Sequence, residues 1–263
     1  MTTTDPHRLL PAYPDLAGKV ALVTAGSRGI GAATCRLLAA NGARVAVNGR
    51  NEAAIEAVVR DIQARGGTAI AAPADCTDDA AVERMRLQVE QSLGAVEVLA
   101  AFVGGQGSPI PTEQISPEMW RSVIESDLTA TFLTVRSFLP AMIERRRGAI
   151  ISMASSAGRL PGQASAAYAA AKAGVIMFSR HLAREVGPHG IRVNCVAPSA
   201  ILTENSPLQR LSEEQRRQVA ASFPLGRVGM PEDVALATLF LASDSSSWLT
   251  GVTLDVAGGR IIV

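Results

Sequence analysis

Lysine and tyrosine are almost absent from this chain. Of 263 residues, only Lys19 and Lys172 are lysines and only Tyr13 and Tyr168 are tyrosines, so nearly all positive charge is arginine. Cysteine is sparse too: Cys35, Cys76 and Cys195 are scattered, odd in number and never paired as Cys-x-x-Cys. With a histidine count of 3, this argues against a disulfide framework or a zinc site, and for a reducing compartment. Neither sign of charge dominates. Lys and Arg number 25 against 24 Asp and Glu, a formal charge of +1. No global field exists to attract nucleic acid or an anionic membrane. No apolar run approaches the ~20 residues of a membrane span, and the stretch from Met1 to Arg8 lacks the apolar segment of a secretion signal.

Apolar content is what the chain has in quantity. Hydrophobic residues make up 48%, charged residues 19%, and the mean hydropathy is +0.20. That is enough for a sizeable core and too much for disorder. The expectation is a soluble, cytoplasmic, single-domain protein.

Residues 1–17, with Pro6, Pro11 and Pro14, read as an irregular arm. From residue 18 onward, short β-branched runs occupy 20–24, 44–48, 68–73, 96–103, 149–153, 191–196 and 252–256. Between them lie segments with helical spacing at 30–41, 52–66, 79–93, 117–147 and 166–187. Strands alternating with helices imply right-handed crossovers and a parallel sheet covered on both faces. The runs at 20–24 and 96–103 are apolar throughout, as doubly buried strands are. No linker or repeat divides the chain, so 18–263 is expected to be one doubly wound α/β domain. The stretch 199–229 breaks the rhythm with a polar helix around 212–221. Such an excursion after a late strand reads as a substrate lid; a solvated helical hairpin is the plainer alternative.

Between the first strand and the first helix runs Thr24-Ala25-Gly26-Ser27-Arg28-Gly29-Ile30-Gly31. Glycines here let phosphates reach backbone N–H groups at the positive end of a helix dipole, although a tight turn alone would also use them. Tyr168 and Lys172 stand at i and i+4 in an Ala-rich helix and so share a face. In a chain with two of each, chance is a poor explanation for that spacing. A free phenol ionises near pH ~10, too high to trade protons near neutrality, and a neighbouring ammonium stabilises the phenolate. Thirteen residues before the tyrosine, Ser155 closes an apolar strand at the crevice end of the sheet. Ser156 is the alternative, one residue out of register.

Cofactor choice can be read at the end of the second strand. Where NAD users place a carboxylate for the ribose 2′-hydroxyl, the chain has Gly49 and then Arg50. Arg50 and Arg28 suit a 2′-phosphate and hence NADP(H), unless Arg50 merely opens the solvated face of the next helix. His7, His181 and His189 lack partners at relay or ligand spacing and read as structural. Glu144-Arg145-Arg146-Arg147 ends a helix, where cations complement the dipole.

These motifs resemble the short-chain dehydrogenase/reductase family, and within it the 3-ketoacyl-carrier-protein-reductase-like ketoreductases, over about residues 18–259. Gly26-x-x-Gly29-x-Gly31 is similar to the family's Thr-Gly-x-x-x-Gly-x-Gly loop, with Ala25 in place of its first glycine. Ser155, Tyr168 and Lys172 are similar to its Ser–Tyr–Lys constellation. The resemblance implies a single Rossmann-type fold and hydride transfer from NADPH to a ketone. Tyr168 would donate the proton, Ser155 would hydrogen-bond the oxygen, and Lys172 would bind ribose and tune the tyrosine. It further implies a cofactor site of Gly26, Ser27, Arg28, Gly29, Ile30, Gly31, Arg50, Asp75, Cys76, Gly104, Tyr168, Lys172, Pro198, Ile201 and Thr203. Asp75 would meet the adenine amino group, and Ile201 and Thr203 the carboxamide and phosphates. Phe102, Gln106 and Gln163 would face substrate. A homotetramer would be built on the helices carrying Asp127 and Tyr168.

Several positions depart from the family pattern. Its Asn-Asn-Ala-Gly after the fourth strand is Ala101-Phe102-Val103-Gly104 here, Ser199 replaces a glycine and Ala257 an aspartate. The asparagine counted as a fourth catalytic member is Asp127. Its family role runs through a backbone carbonyl that holds water against the lysine. A carboxylate there would compete for the lysine's charge and weaken its push on the tyrosine. Run in reverse, the same site would make an alcohol, sugar or steroid dehydrogenase; without turnover it would make a dinucleotide-sensing protein.

Overall fold

The computed structural model describes residues 11–105, 107–162 and 164–262. Most of the proline-bearing arm lies outside the described residues, as do His7 and the expected substrate contacts Gln106 and Gln163.

Strands form wherever the β-branched runs predict them. They are β1 (Val20–Val23), β2 (Arg44–Gly49), β3 (Thr68–Pro73), β4 (Val96–Ala101), β5 (Gly148–Met153), β6 (Ile191–Pro198) and β7 (Thr253–Val256). All pair in parallel, in the order β3-β2-β1-β4-β5-β6-β7. The helices are α1 (Gly29–Ala40), α2 (Glu52–Ala64), α3 (Asp79–Leu93), α4 (Pro117–Ile124), α5 (Ala130–Arg145), α6 (Ala166–Val186), α7 (Glu213–Ala221) and α8 (Pro231–Ala242). This is the Rossmann-type doubly wound sheet. The chain travels outward from β1 to β3, then returns to lay β4 on the other side of β1. Open sheets bind ligands at such a reversal, in the crevice outside the carboxyl ends of the strands.

Both faces of the sheet are covered, which is why all four residues of β1 are buried. On one face Leu38, Val45, Ile55 and Leu239 join α1, β2, α2 and α8 in a single core. On the other, Leu22, Met85, Phe138 and Ile150 join β1, α3, α5 and β5. Each such side chain contributes about 1.5–3 kcal/mol by leaving water. Helix starts are set by side chains accepting the first free N–H groups: Asn51 for α2, Asp78 for α3, Ser116 for α4, Ser165 for α6 and Ser212 for α7. At α1 the cap position is Arg28, whose side chain offers no such bond.

The structure differs from the sequence expectation in three places. The single helix expected over 117–147 is broken by a π-helical turn, Glu125–Thr129, between α4 and α5. Helix α8 packs against α1 and is apolar nearly all round, so no polar stripe reveals its period. The expected strand 96–103 stops at Ala101, because residues 102–105 turn away into the crevice. Segment 199–229 leaves β6, is pinned by a bridge between Ile201 and Gly229, and carries α7, which buries none of its residues. Among the described residues, no helix is long and apolar enough to cross a membrane.

Cys35 and Cys76 are free and buried in these two cores, and Cys195 is free and buried in a smaller cluster with Val175 and Ile176. Burial disfavours their thiolates: Cys35 is pushed far up, Cys76 to about 11 and Cys195 to about 12. The native protein should therefore leave Ellman's reagent unreacted at pH 8 and titrate three thiols only after unfolding. One thiol reacting at once in the native state would contradict this core.

Candidate active site

The glycine loop is shaped by contacts that no side chain could survive. Gly26 closes the turn after β1 by donating its N–H to Asn48 O at 2.7 Å. A Cβ on Gly31 would collide with the Ala25 carbonyl oxygen, and one on Gly29 would press on Thr203 Cγ2 at 3.1 Å. Ala25 has φ +50°, the left-handed region where glycine is favoured, so replacing the family's first glycine leaves local strain. The loop aims the N–H groups opening α1 into the crevice. Gly29 N–H already donates to an anion there, Glu204 Oε2 at 3.0 Å.

Tyr168 and Lys172 occupy the first turns of α6, whose start is fixed by Ser165 Oγ accepting Tyr168 N–H at 3.3 Å. The Lys172 side chain is only 2% exposed. Its Nζ lies 5.6 Å from the Tyr168 ring centroid, donates to Met153 O at 3.1 Å and pairs with Asp127 Oδ1 at 3.0 Å. Asp127 is fully buried at the centre of the π-turn. Its Oδ1 also accepts Gly105 N–H at 2.9 Å, and its Oδ2 accepts Ser126 Oγ–H at 2.8 Å. Gly104, at φ +122°, runs so close that a Cβ would collide with the Asp127 carboxylate and come within 2.8 Å of Lys172 Nζ. Gly107 lies over the Tyr168 ring at a similar approach, 3.0 Å for an added Cβ.

Ser155 lies two residues past β5 in extended backbone, and its Oγ accepts Ala157 N–H at 3.2 Å, which leaves its own hydrogen free to donate. Ser155, Ser156, Tyr168 and Lys172 all line one cleft of about 850 Å³. Arg28, Gly29, Ile30, Gly31, Phe102, Gly104, Pro198, Ile201 and Thr203 line it as well, and Leu160, Pro161 and Leu208 are among its apolar residues.

Other expected residues stand elsewhere. Gly26 and Ser27 belong to the loop but are not in the cleft lining. Cys76 is not brought to the cleft: its thiol is buried and donates to Asn48 Oδ1 at 3.3 Å, a core contact. Arg50, 80% exposed, is not in the cleft lining either, and its guanidinium pairs with Asp75 Oδ2 at 3.7 Å. The Asp75 carboxyl is kept below its usual range, first by Thr77 N–H at 3.0 Å, then by the Thr77 hydroxyl and Arg50. Among the described residues, Arg28 makes no ion pair. The Asp127 backbone carbonyl oxygen and its carboxylate meet different partners. That oxygen accepts Thr131 Oγ–H at 3.0 Å, and the carboxylate is what reaches Lys172. Sequence reasoning missed Glu204; the only available signal was an acid directly after Thr203 in an otherwise uninformative loop.

Residues 24–260 match a short-chain dehydrogenase profile whose description reads enoyl-(acyl carrier protein) reductase. The chain belongs to the short-chain dehydrogenase/reductase family, a family of oxidoreductases. It is 38% identical over 246 residues to the 3-oxoacyl-[acyl-carrier-protein] reductase of Escherichia coli (strain K12), covering 94% of this chain and 98% of that protein. The corresponding reductase of Chlamydia pneumoniae is 38% identical over 244 residues, covering 93% and 97%. Among solved structures, a 3-oxoacyl-[acyl-carrier protein] reductase with bound NAD from Brucella melitensis superposes with a TM-score of 0.89 at 31% identity, covering 100% of this chain and 98% of that one. Levodione reductase superposes at 0.88 with 29% identity, covering 93% and 98%.

Within this family the buried ion pair sets Asp127 apart from the usual asparagine. Asn and Ala both remove the counter-charge of the buried ammonium, but an Asn side chain can still accept from Gly105 and Lys172, whereas Ala leaves both donors without that acceptor. Asp127→Asn should keep the fold and turnover, while Asp127→Ala should lose about 3–5 kcal/mol of stability. Urea unfolding of the two variants, with turnover measured alongside, checks this. A tenfold loss of turnover in Asp127→Asn, about 1.4 kcal/mol, would give the carboxylate a catalytic part of its own.

Proposed function

We propose that this protein reduces the ketone of a small or acyl-type substrate to an alcohol with NADPH, through Ser155, Tyr168 and Lys172. The observation that carries the proposal is a phenol beside a buried, ion-paired ammonium, with a serine hydroxyl in the same cleft. The glycine loop fits the pyrophosphate of a dinucleotide, since its backbone leaves no room for Cβ atoms and Gly29 N–H accommodates a carboxylate. Arg28, Gly29, Ile30 and Gly31 would hold the phosphates, Asp75 the adenine, and Ile201 and Thr203 the carboxamide end. Lys172 has one ammonium hydrogen beyond its bonds to Met153 and Asp127, and this suits a ribose hydroxyl. When bound, the nicotinamide supplies the hydride.

The protein's own part is proton delivery and charge stabilisation. Tyr168 gives its hydroxyl proton to the oxygen as alkoxide character develops, and Lys172 stabilises the phenolate left behind. Ser155 donates a hydrogen bond to the same oxygen. Leu160, Pro161 and Leu208 give the cleft an apolar lining that suits the acyl substrates named for the relatives. Exposed Trp120, Phe132 and Met177 on α4, α5 and α6 support assembly as a homotetramer.

Tyr168→Phe should keep dinucleotide affinity and lose about 100- to 10,000-fold in kcat toward a 3-oxoacyl thioester or a ketone from a size-graded panel. Ser155→Ala should lose about 100-fold or more, and Ser156→Ala only a few-fold. Near-normal kcat in Tyr168→Phe would overturn the mechanism, and the reverse order of the serines would move that role to Ser156.

NADPH should exceed NADH in kcat/KM. Arg28 carries most of the preference, because Arg50 must first release Asp75. Arg28→Ala with Arg50→Ala should close most of the gap, chiefly through KM. A preference for NADH, or a gap unchanged in the double variant, would remove NADPH from the proposal.

A further inference from the structure

Glu204 has no part in the mechanism above, yet it occupies the point where an anion is wanted most. Its Oε2 accepts Gly29 N–H at 3.0 Å, across 175 residues of sequence. Gly29 opens α1, and Arg28 at the cap position gives that helix no side-chain cap of its own. The carboxylate therefore supplies from a distance what Asn51, Asp78 and Ser165 supply locally to other helices. Thr203 packs on the same glycine, so the segment leaving Ile201 is seated on the loop. One backbone N–H cannot serve both a carboxylate and a phosphate oxygen, and two anions at one helix end repel each other.

We propose that Glu204 is a built-in competitor of the dinucleotide pyrophosphate: it caps α1 in the free protein and is displaced when the cofactor binds. The proposal rests on the reading of this cleft as a dinucleotide site. Displacement swings the Glu204 side chain off Gly29, which couples cofactor binding to the segment that lines the cleft at 203–208. The apparent affinity is then the intrinsic one scaled by the fraction of molecules in which Glu204 has let go.

Two measurements on the full-length protein test this. In the nucleotide-free state, the Gly29 amide should shift in ¹H–¹⁵N spectra and exchange faster with solvent in Glu204→Ala than in the unmodified protein. By calorimetry, Glu204→Ala should bind inorganic pyrophosphate and NADPH about five- to tenfold more tightly, tenfold being about 1.4 kcal/mol. Glu204→Gln, nearly isosteric, should show a gain of the same sign and serves if the alanine variant folds poorly. Tighter binding with an unmoved Gly29 amide would mean repulsion through space, and would overturn the competitor role. Equal affinity in variant and unmodified protein would overturn it too, while leaving the cofactor reading intact. If neither protein bound NADPH, the cofactor reading would fall and the competitor with it.

Discussion

A lysine ammonium held out of water, 2% exposed and 3.0 Å from an equally buried carboxylate, is the constraint around which this cleft is built. Such a charge is tolerated only when its partners are close and its hydrogen bonds are made. Met153 supplies one from the end of β5 and Asp127 another from the π-turn. The carboxylate in turn needs Gly105 N–H and the Ser126 hydroxyl. That packing leaves no room for a side chain at Gly104, where a Cβ would collide with the Asp127 carboxylate. One buried charge thus fixes the conformation of three separate connections at the carboxyl edge of the sheet.

The π-turn is the least regular part of this arrangement and the most consequential. A regular helix over 117–147 would carry Asp127 as one more helical residue. The wider turn instead buries its side chain against Lys172 while Thr131 satisfies its carbonyl. Such turns inside helices are frequent at functional sites, because they trade backbone regularity for the direction of a side chain. At the opposite end of the cleft the electrostatics are looser. Arg50 and the partly exposed Asp75 are paired, Arg28 is exposed, and Glu204 reaches from the loop after β6 to the start of α1.

How much of this was legible in the sequence depended on whether the signal was local. Val20–Val23 reads as a buried strand because every residue in it is apolar, and Tyr168 with Lys172 reads as a pair because helical spacing places them on one face. The place of Ser155 in the cleft was legible because it follows closely on the apolar run that forms β5. Helix α8 was not, since a helix covered on nearly all sides shows no amphipathic period. Cys76 adjoins Asp75 in sequence but points into the core, because neighbouring residues leaving a strand face opposite ways.

The sequence by itself determined the alternation of strands and helices, the glycine loop ahead of α1, and the Tyr168–Lys172 pair. Each is encoded by residues within a few positions of one another. Only the tertiary structure decided that the Asp127 carboxylate meets Lys172, that Asp75 holds Arg50, and that Glu204 caps α1. Those contacts join residues 45, 25 and 175 positions apart. No local preference encodes them; they exist because sheet order brings the carboxyl ends of distant strands to one crevice, where burial and charge select the partners.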